Sequence, residues 1–322
     1  MHRRMWKRVV SKSIVYGKDT ITYKPCVDTV SLGSLSVKKF RFGGAAGRAL
    51  TSESSKHLAQ GILGLSPSPP AEFKNQEVLS DRANLIQCLE GQIFRPVCTL
   101  IGPKVHPAVA ADLEKTGART GRGVLAVGEL PRDFFSGQIA WCPNLVRDKW
   151  IVELDEVRIN DIPLPARRRT ALIDTGTSFI LPPAKDFDEI VKMLEGTKHE
   201  RPEFFKVAKD KLKNVSFHLG GKQGRSLALN QDDLFLREDP SGIVISTLVQ
   251  KPGLPKDDEY MDYWVLGGIF LDNVVTAFAY SPFGAISSVG FADIPETDFK
   301  SWKANPENDP WDTAYTGQYF KT

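Results

Sequence analysis

Apolar and polar positions alternate with a period of two along much of this chain. Ile151-Val152-Glu153-Leu154-Asp155-Glu156-Val157-Arg158-Ile159 is a short run in which apolar and polar residues alternate, which predicts a half-buried strand. Ala171-Leu172-Ile173 is apolar without alternation and predicts a strand covered on both faces. Val274 to Tyr280 and Ala285 to Phe291 flank Ser281-Pro282-Phe283-Gly284, a strand-turn-strand pattern. Helical spacing is confined to Asn84 to Gly91, Ala108 to Lys115, Phe187 to Leu194 and Pro202 to Lys211, the third following a break at Pro182-Pro183. Strands dominate, so the chain is expected to be mostly β. Ser66 to Phe73, rich in Pro and Ser, reads as a surface loop.

The stretch with the most chemistry is Asp174-Thr175-Gly176-Thr177-Ser178, placed directly after the apolar strand. A buried carboxylate on a tight turn is expected there. Gly176 is expected to supply a positive φ and let backbone N–H groups approach the carboxylate. The hydroxyls of Thr175, Thr177 and Ser178 are available as donors to it. An ordinary Asx turn closing a strand is the plainer reading of the same letters. A repeat adds weight to the first: Ile62-Leu63-Gly64-Leu65 and Val265-Leu266-Gly267-Gly268 are two apolar-apolar-Gly segments. The separation from Asp174 to Gly267, counted back from Gly64, falls ahead of Met1. Two similar lobes are thus expected, the first without its aspartate.

These segments, in order, resemble the pepsin-like aspartic proteases from about Ser13 to Asp293. Ser13-Ile14-Val15-Tyr16-Gly17, then Asp28-Thr29-Val30, resemble the family's flap hairpin and the strand leaving it. Phe42-Gly43 and Gly61 to Leu65 resemble the rest of the first lobe. Gly123 to Gly128 and Gly137 to Pro143 resemble the strands leading to the lobe crossover, while Trp150, Ala171 to Ser178 and Trp264 to Gly267 resemble the second lobe. The implied fold is mostly β and bilobal, two β-barrel-like lobes with the first incomplete. The implied divisions are residues 1–146 as a partial N-terminal lobe with the flap, 147–296 as the C-terminal lobe, and 297–322 as a polar tail. The lobe boundary itself is expected near Pro143 to Arg147.

The resemblance implies an aspartic endopeptidase with Asp174 as a catalytic residue. Tyr16, Gly17, Gly176, Thr177 and Ser178 would contact a peptide or protein substrate, and neither cofactor nor metal is implied. The sequence departs from the family in four ways, one being that Gly268 and Asp272 replace charged residues common after the second-lobe apolar-apolar-Gly strand. Asp19 and Tyr23 stand where the flap usually has glycine, no cysteine follows Cys142 to make the usual second-lobe disulfide, and a second Asp-Thr-Gly is missing. Val27-Asp28-Thr29-Val30-Ser31 is a poor substitute, because Val30 stands where the turn needs glycine. Three readings follow: an endopeptidase seen as an N-terminally truncated chain, weak or inactive alone; a non-catalytic peptide-binding or inhibitory protein; and a homodimer that pairs two copies of Asp174. The first is preferred, with a monomer expected.

Composition narrows the setting without changing this. Hydrophobic residues at 41% and charged residues at 25% are globular proportions, and a net charge of +3 calls for no nucleic-acid partner. The basic start (Arg3, Arg4, Lys7, Arg8, Lys12) is not followed by an apolar run, so no signal peptide is read in this chain, and no segment reads as membrane-spanning. For the intact precursor the resemblance implies a secreted or vacuolar location. Arg167-Arg168-Arg169 reads as a solvated hairpin loop. Among Cys26, Cys88, Cys98 and Cys142, a Cys88–Cys98 disulfide and four buried free thiols are both open. Asn214-Val215-Ser216 is a glycosylation sequon, usable only on the secretory route. The scattered aromatics beyond Asp293 belong to a tail expected to be poorly ordered.

Overall fold

The structure is a computed structural model that describes residues 11–16, 19–45, 61–67, 84–89, 91–102, 124–131, 135–221, 224–251, 262–280 and 287–294. The helix expected over Ala108 to Lys115, the Ser281 to Gly284 turn and the tail from 297 lie outside them. The chain divides into two compact units between Gln92 and Ile93. The boundary drawn near Pro143 to Arg147 therefore falls inside the second unit, whose strands on either side of it share one sheet.

In the first unit, β1 (Lys12–Tyr16), β2 (Asp19–Leu32) and β3 (Leu35–Ala45) form an antiparallel three-stranded sheet in that order. Tyr16 is opposite Asp19, so the hairpin expected at the flap is present, with Gly17 outside the described residues. Leu32 is opposite Leu35, and the two-residue turn between them needs the positive φ of 59° that Gly33 supplies. Tyr23 lays its ring where a side chain on Gly43 would stand: a Cβ there would be 2.7 Å from the ring. Asp28 lies in mid-strand opposite Phe40 and accepts from the Thr29 N–H at 2.7 Å, as the post-flap strand reading requires. Helix α1 (Leu85–Cys88) is capped by Asn84, whose side chain accepts from Ile86 N–H and donates to the carbonyls of Gly64 and Ser66.

Among its described residues the second unit has three sheets. The first is five-stranded, ordered β5-β4-β18-β19-β6, from β4 (Val97–Ile101), β5 (Val124–Val127), β6 (Ser136–Pro143), β18 (Val274–Ala279) and β19 (Ser288–Asp293). The hairpin expected from Val274 onward is thus present, its second strand running three residues later than expected at its start. The second sheet carries β7 (Ile151–Ile159), β8 (Ile162–Pro163), β9 (Arg169–Ile173), β10 (Ile180–Leu181), β13 (Val215–Leu219), β14 (Arg225–Ala228) and β17 (Trp264–Leu266). Its order is β10-β17-β9-β7-β13-β14, with β8 paired to β7. The third joins β11 (Thr197–Lys198), β12 (Phe205–Ala208), β16 (Ile243–Ser246) and β15 (Phe235–Glu238).

The strand read from Ile151 to Ile159 has those bounds in the structure. Its partner β8 follows a two-residue turn at Asn160 and Asp161, both at positive φ, which small polar residues tolerate. The helix expected at Pro202 to Lys211 is instead β12 followed by a single 3-10 turn at Lys209–Lys211. Phe205 and Val207 are buried and alternate with half-buried Lys206 and Ala208, so pairing with β16 on one side and β11 on the other wins over local helical spacing. A chain of edge-to-face rings, Trp264, Phe217, Phe270 and Phe291, runs through the core with centroids 5.5 to 5.8 Å apart and joins the second sheet to the first.

All four cysteines are free thiols, which corrects the Cys88–Cys98 disulfide. Cys98 is wholly buried at the second position of β4, and its cross-strand neighbours are Val127 and Phe278. Burial pushes the Cys88 thiol up to about 11 and the Cys98 thiol to about 12. Burial, aided by the charge of Asp155, pushes Cys142 to about 12 as well. Between the ordinary value of 9.0 and these values the unfolded chain sheds protons that the folded chain keeps. Stability contributed by the neutral buried thiols is therefore complete below pH 9 and declines from pH 9 to 12. Urea midpoints measured across that range are expected to fall, and Cys98→Val is expected to flatten the decline. An identical slope in that variant would contradict the assignment.

Candidate active site

Strand β9 delivers Asp174. It runs antiparallel to β7 and parallel to β17, with Ala171 opposite Trp264 and Ile173 opposite Leu266. Ala171 and Ile173 are buried and Leu172 half-buried, packed with Ile151, Tyr263 and Val265. The strand ends where the Asp174 N–H donates to the Leu266 carbonyl at 3.2 Å, and the chain then turns, with Thr177 N–H donating to the Asp174 carbonyl at 3.3 Å.

Both carboxylate oxygens are held by the turn. Gly176 N–H donates to Oδ1 at 2.9 Å and the Thr177 hydroxyl donates to Oδ2 at 2.6 Å. Of the three hydroxyls proposed as donors, Thr177's is the one bonded to the carboxylate. Asp174 is half-buried rather than buried, and Thr175, Gly176 and Ser178 are exposed, so the turn presents its polar face outward. Gly176 is not at positive φ. Its role is close approach: a Cβ there would lie 3.2 Å from Asp174 Oδ1.

The far side of the turn rests on the second apolar-apolar-Gly segment. Gly268 N–H donates to the Thr177 carbonyl at 2.7 Å and Ile269 N–H to the Ser178 carbonyl at 3.0 Å, from the first turn of α3 (Gly268–Leu271). Gly267 admits this contact. A Cβ on it would stand 2.3 Å from the Thr177 carbonyl oxygen and 2.5 Å from that of Phe179. Because both are backbone atoms, Gly267→Ala is expected to destabilise the unit by about 3 kcal/mol, read as a lower denaturant midpoint. An unchanged midpoint would show that the turn yields freely.

Sequence reasoning missed three residues beneath the site. Arg169, expected in a solvated loop, is 4% exposed, and helix α2 (Ala184–Met193) begins three residues earlier than its apolar spacing suggested, directly after Pro183. Its first turn carries Asp186, 2% exposed, whose carboxylate takes two hydrogen bonds from Arg169 (Nε and Nη2, both 2.9 Å) and one from Trp264 Nε1 at 2.8 Å. Arg167 Nε lies 3.4 Å from the same carboxylate. The only sequence signal was an acidic residue next to the apolar positions of an amphipathic helix. Of the proposed substrate residues, Gly176, Thr177 and Ser178 form the turn. Tyr16 ends β1 in the other unit, its side chain outside the described residues, as is Gly17.

The Asp174 carboxylate is thus gripped by the N–H and hydroxyl of its own glycine turn, at the end of a strand in a mostly β unit. A family model of the eukaryotic aspartyl proteases matches residues 7–293, and the chain belongs to that family. It is 27% identical over 286 residues to the aspartic-type endopeptidase ctsD of Aspergillus fumigatus, covering 87% of this chain and 53% of that protein. It is 26% identical over 285 residues to cathepsin D of Gallus gallus (87% and 65%) and 24% identical over 271 residues to a probable aspartic-type endopeptidase CTSD of Trichophyton verrucosum (83% and 47%). The chain thus spans about half the length of these fungal relatives and about two thirds of cathepsin D. The mostly β architecture agrees with the pepsin-like fold expected from the sequence.

Proposed function

We propose that the chain works in peptide-bond hydrolysis as one carboxylate-bearing part of an aspartic endopeptidase, Asp174 being one of two catalytic aspartates. The observation that carries this is the double grip on the Asp174 carboxylate by Gly176 and Thr177, at 2.9 and 2.6 Å. Two bonds to its oxygens fix the direction of this half-buried carboxylate. In this class, two adjacent carboxylates share a proton because like charges so close do not both ionise, aspartic proteases being the standard instance. The ionised member takes a proton from water as the oxygen attacks the peptide carbonyl. The protonated member donates to the carbonyl oxygen, and no acyl-enzyme forms. Exposed Gly176 and Ser178, with Thr177, are assigned to the substrate backbone. Tyr16 and Gly17 are assigned to substrate by family resemblance alone.

The second carboxylate is proposed to come from residues outside these 322, as the sequence holds one Asp-Thr-Gly. A contrast between the two apolar-apolar-Gly segments supports this. Val265 and Leu266 are 5% and 0% exposed and pair with β9, whereas Ile62 and Leu63 are 58% and 43% exposed and lack a strand partner among the described residues. The chain alone is therefore proposed to be weak or inactive, monomeric, and part of a secreted or vacuolar precursor. Peptide cleavage at acid pH, with and without a statine-type inhibitor, tests it. Vigorous inhibitor-sensitive cleavage by the 322 residues alone would show that no further carboxylate is needed.

A further inference from the structure

The geometry points to a register lock beneath the site: Asp186, with Arg169 and Trp264, positions the Asp174 turn by fixing β9 against β17. Its catalytic meaning rests on the function proposed above. Strand β9 is five residues long, with Arg169 at its start and Asp174 just past its end. The strand beside it, β17, has Trp264 at its start and Leu266 at its end, and Leu266 accepts the Asp174 N–H. The two strands are parallel neighbours, so sliding one along the other moves Asp174 relative to Leu266 and Gly267. A parallel pair of three residues holds register weakly by itself.

The Asp186 carboxylate supplies what the short ladder lacks. One oxygen, Oδ2, accepts from both strands at once: from Arg169 Nε at 2.9 Å and from Trp264 Nε1 at 2.8 Å. The other, Oδ1, accepts from Arg169 Nη2 at 2.9 Å and faces Arg167 Nε at 3.4 Å. Arg169 Nη2 also donates to the Pro165 carbonyl at 2.8 Å, which ties down the segment entering β9. The guanidinium and carboxylate side chains are each 3% exposed, so water does not compete for these bonds. A slip of β9 by one residue, about 3.3 Å, would strip the carboxylate of its bidentate partner while leaving the indole in place. The lock therefore penalises sliding of β9 along β17, a motion that would misplace Asp174.

A core ion pair without this role would predict that apolar replacements leave the turn untouched, since such pairs are often exchanged for apolar side chains without loss of stability. The test uses the 322-residue chain, the double variant Arg169→Met/Asp186→Leu and the single variant Trp264→Phe. Thermal midpoints are measured together with amide hydrogen exchange. In the double variant the Asp174 and Gly176 amides are expected to exchange about tenfold faster, while the β18 amides keep their protection. Trp264→Phe, which removes the indole donor along with part of the ring and leaves the Arg169–Asp186 pair, is expected to give a smaller rise at the same amides and decides the matter should the double variant fail to fold. Unaltered exchange at Asp174 and Gly176 in every folded variant overturns the lock. Assay of the longest natural product separates the two proposals. No cleavage by the wild type removes the enzymatic reading and leaves the exchange result standing, whereas cleavage with kcat reduced and KM unchanged in Trp264→Phe supports both.

Discussion

Asp174→Asn is expected to lower peptide hydrolysis by the longest natural form of this protein by about 1,000-fold or more, with substrate affinity little changed. The asparagine is isosteric and keeps an oxygen for the Gly176 N–H, 2.9 Å away in the wild type. Thr177 can rotate its hydroxyl to accept from the new amide in place of donating to Oδ2. The turn should therefore survive, and because Asp174 is half-buried the unfolding midpoint should move little. What disappears is the capacity to take a proton from water and to share one with a second carboxylate. Steady-state kinetics at acid pH on a purified, normally melting variant is the measurement. Retention of wild-type turnover would remove Asp174 from the chemistry and with it the proposed function.

Asp186→Ala is expected to cost about 3–5 kcal/mol of stability, because it strands a buried guanidinium and an indole N–H that share one carboxylate. In a unit of this size that corresponds to a fall in melting temperature on the order of 10 °C. Arg169 keeps its bond to the Pro165 carbonyl, which does not neutralise it. Substituting the exposed pair Lys209–Glu238, by contrast, should leave the midpoint nearly unchanged, since both side chains are more than 40% exposed and water screens the pair. Calorimetry on the two variants side by side checks the contrast. Equal small shifts would show that Arg169 finds water or another acceptor once Asp186 is gone.

Much of the architecture was legible in local pattern. Ile151 to Ile159 buries Val152 and Leu154 and then Val157 and Ile159, the phase changing where its register against His218 and Leu219 shifts, and the structure has the strand where the letters place it. Asp174 to Ser178 was legible because one backbone turn supplies both donors to the carboxylate within three residues. Pro202 to Lys211 misled because Phe205 and Val207 are buried by β16 and β11, strands that lie elsewhere in the sequence. Arg169 misled because its neighbours Arg167 and Arg168 suggested solvent, while its partner Asp186 lies 17 residues away on a helix.

The amino-acid sequence by itself determined the family of the protein and the turn that grips the Asp174 carboxylate, since the glycine N–H and the hydroxyl that bond it lie within three residues of it. It also determined that a second such turn is not among these residues. Tertiary structure alone decided what holds that carboxylate in place. Gly267 matters because two carbonyl oxygens from a distant turn press on its Cα, and Asp186 matters because burial makes its charge costly unless Arg169 and Trp264 meet it. Close approach and desolvation arise between segments far apart in the chain, and so they leave no mark in the order of its residues.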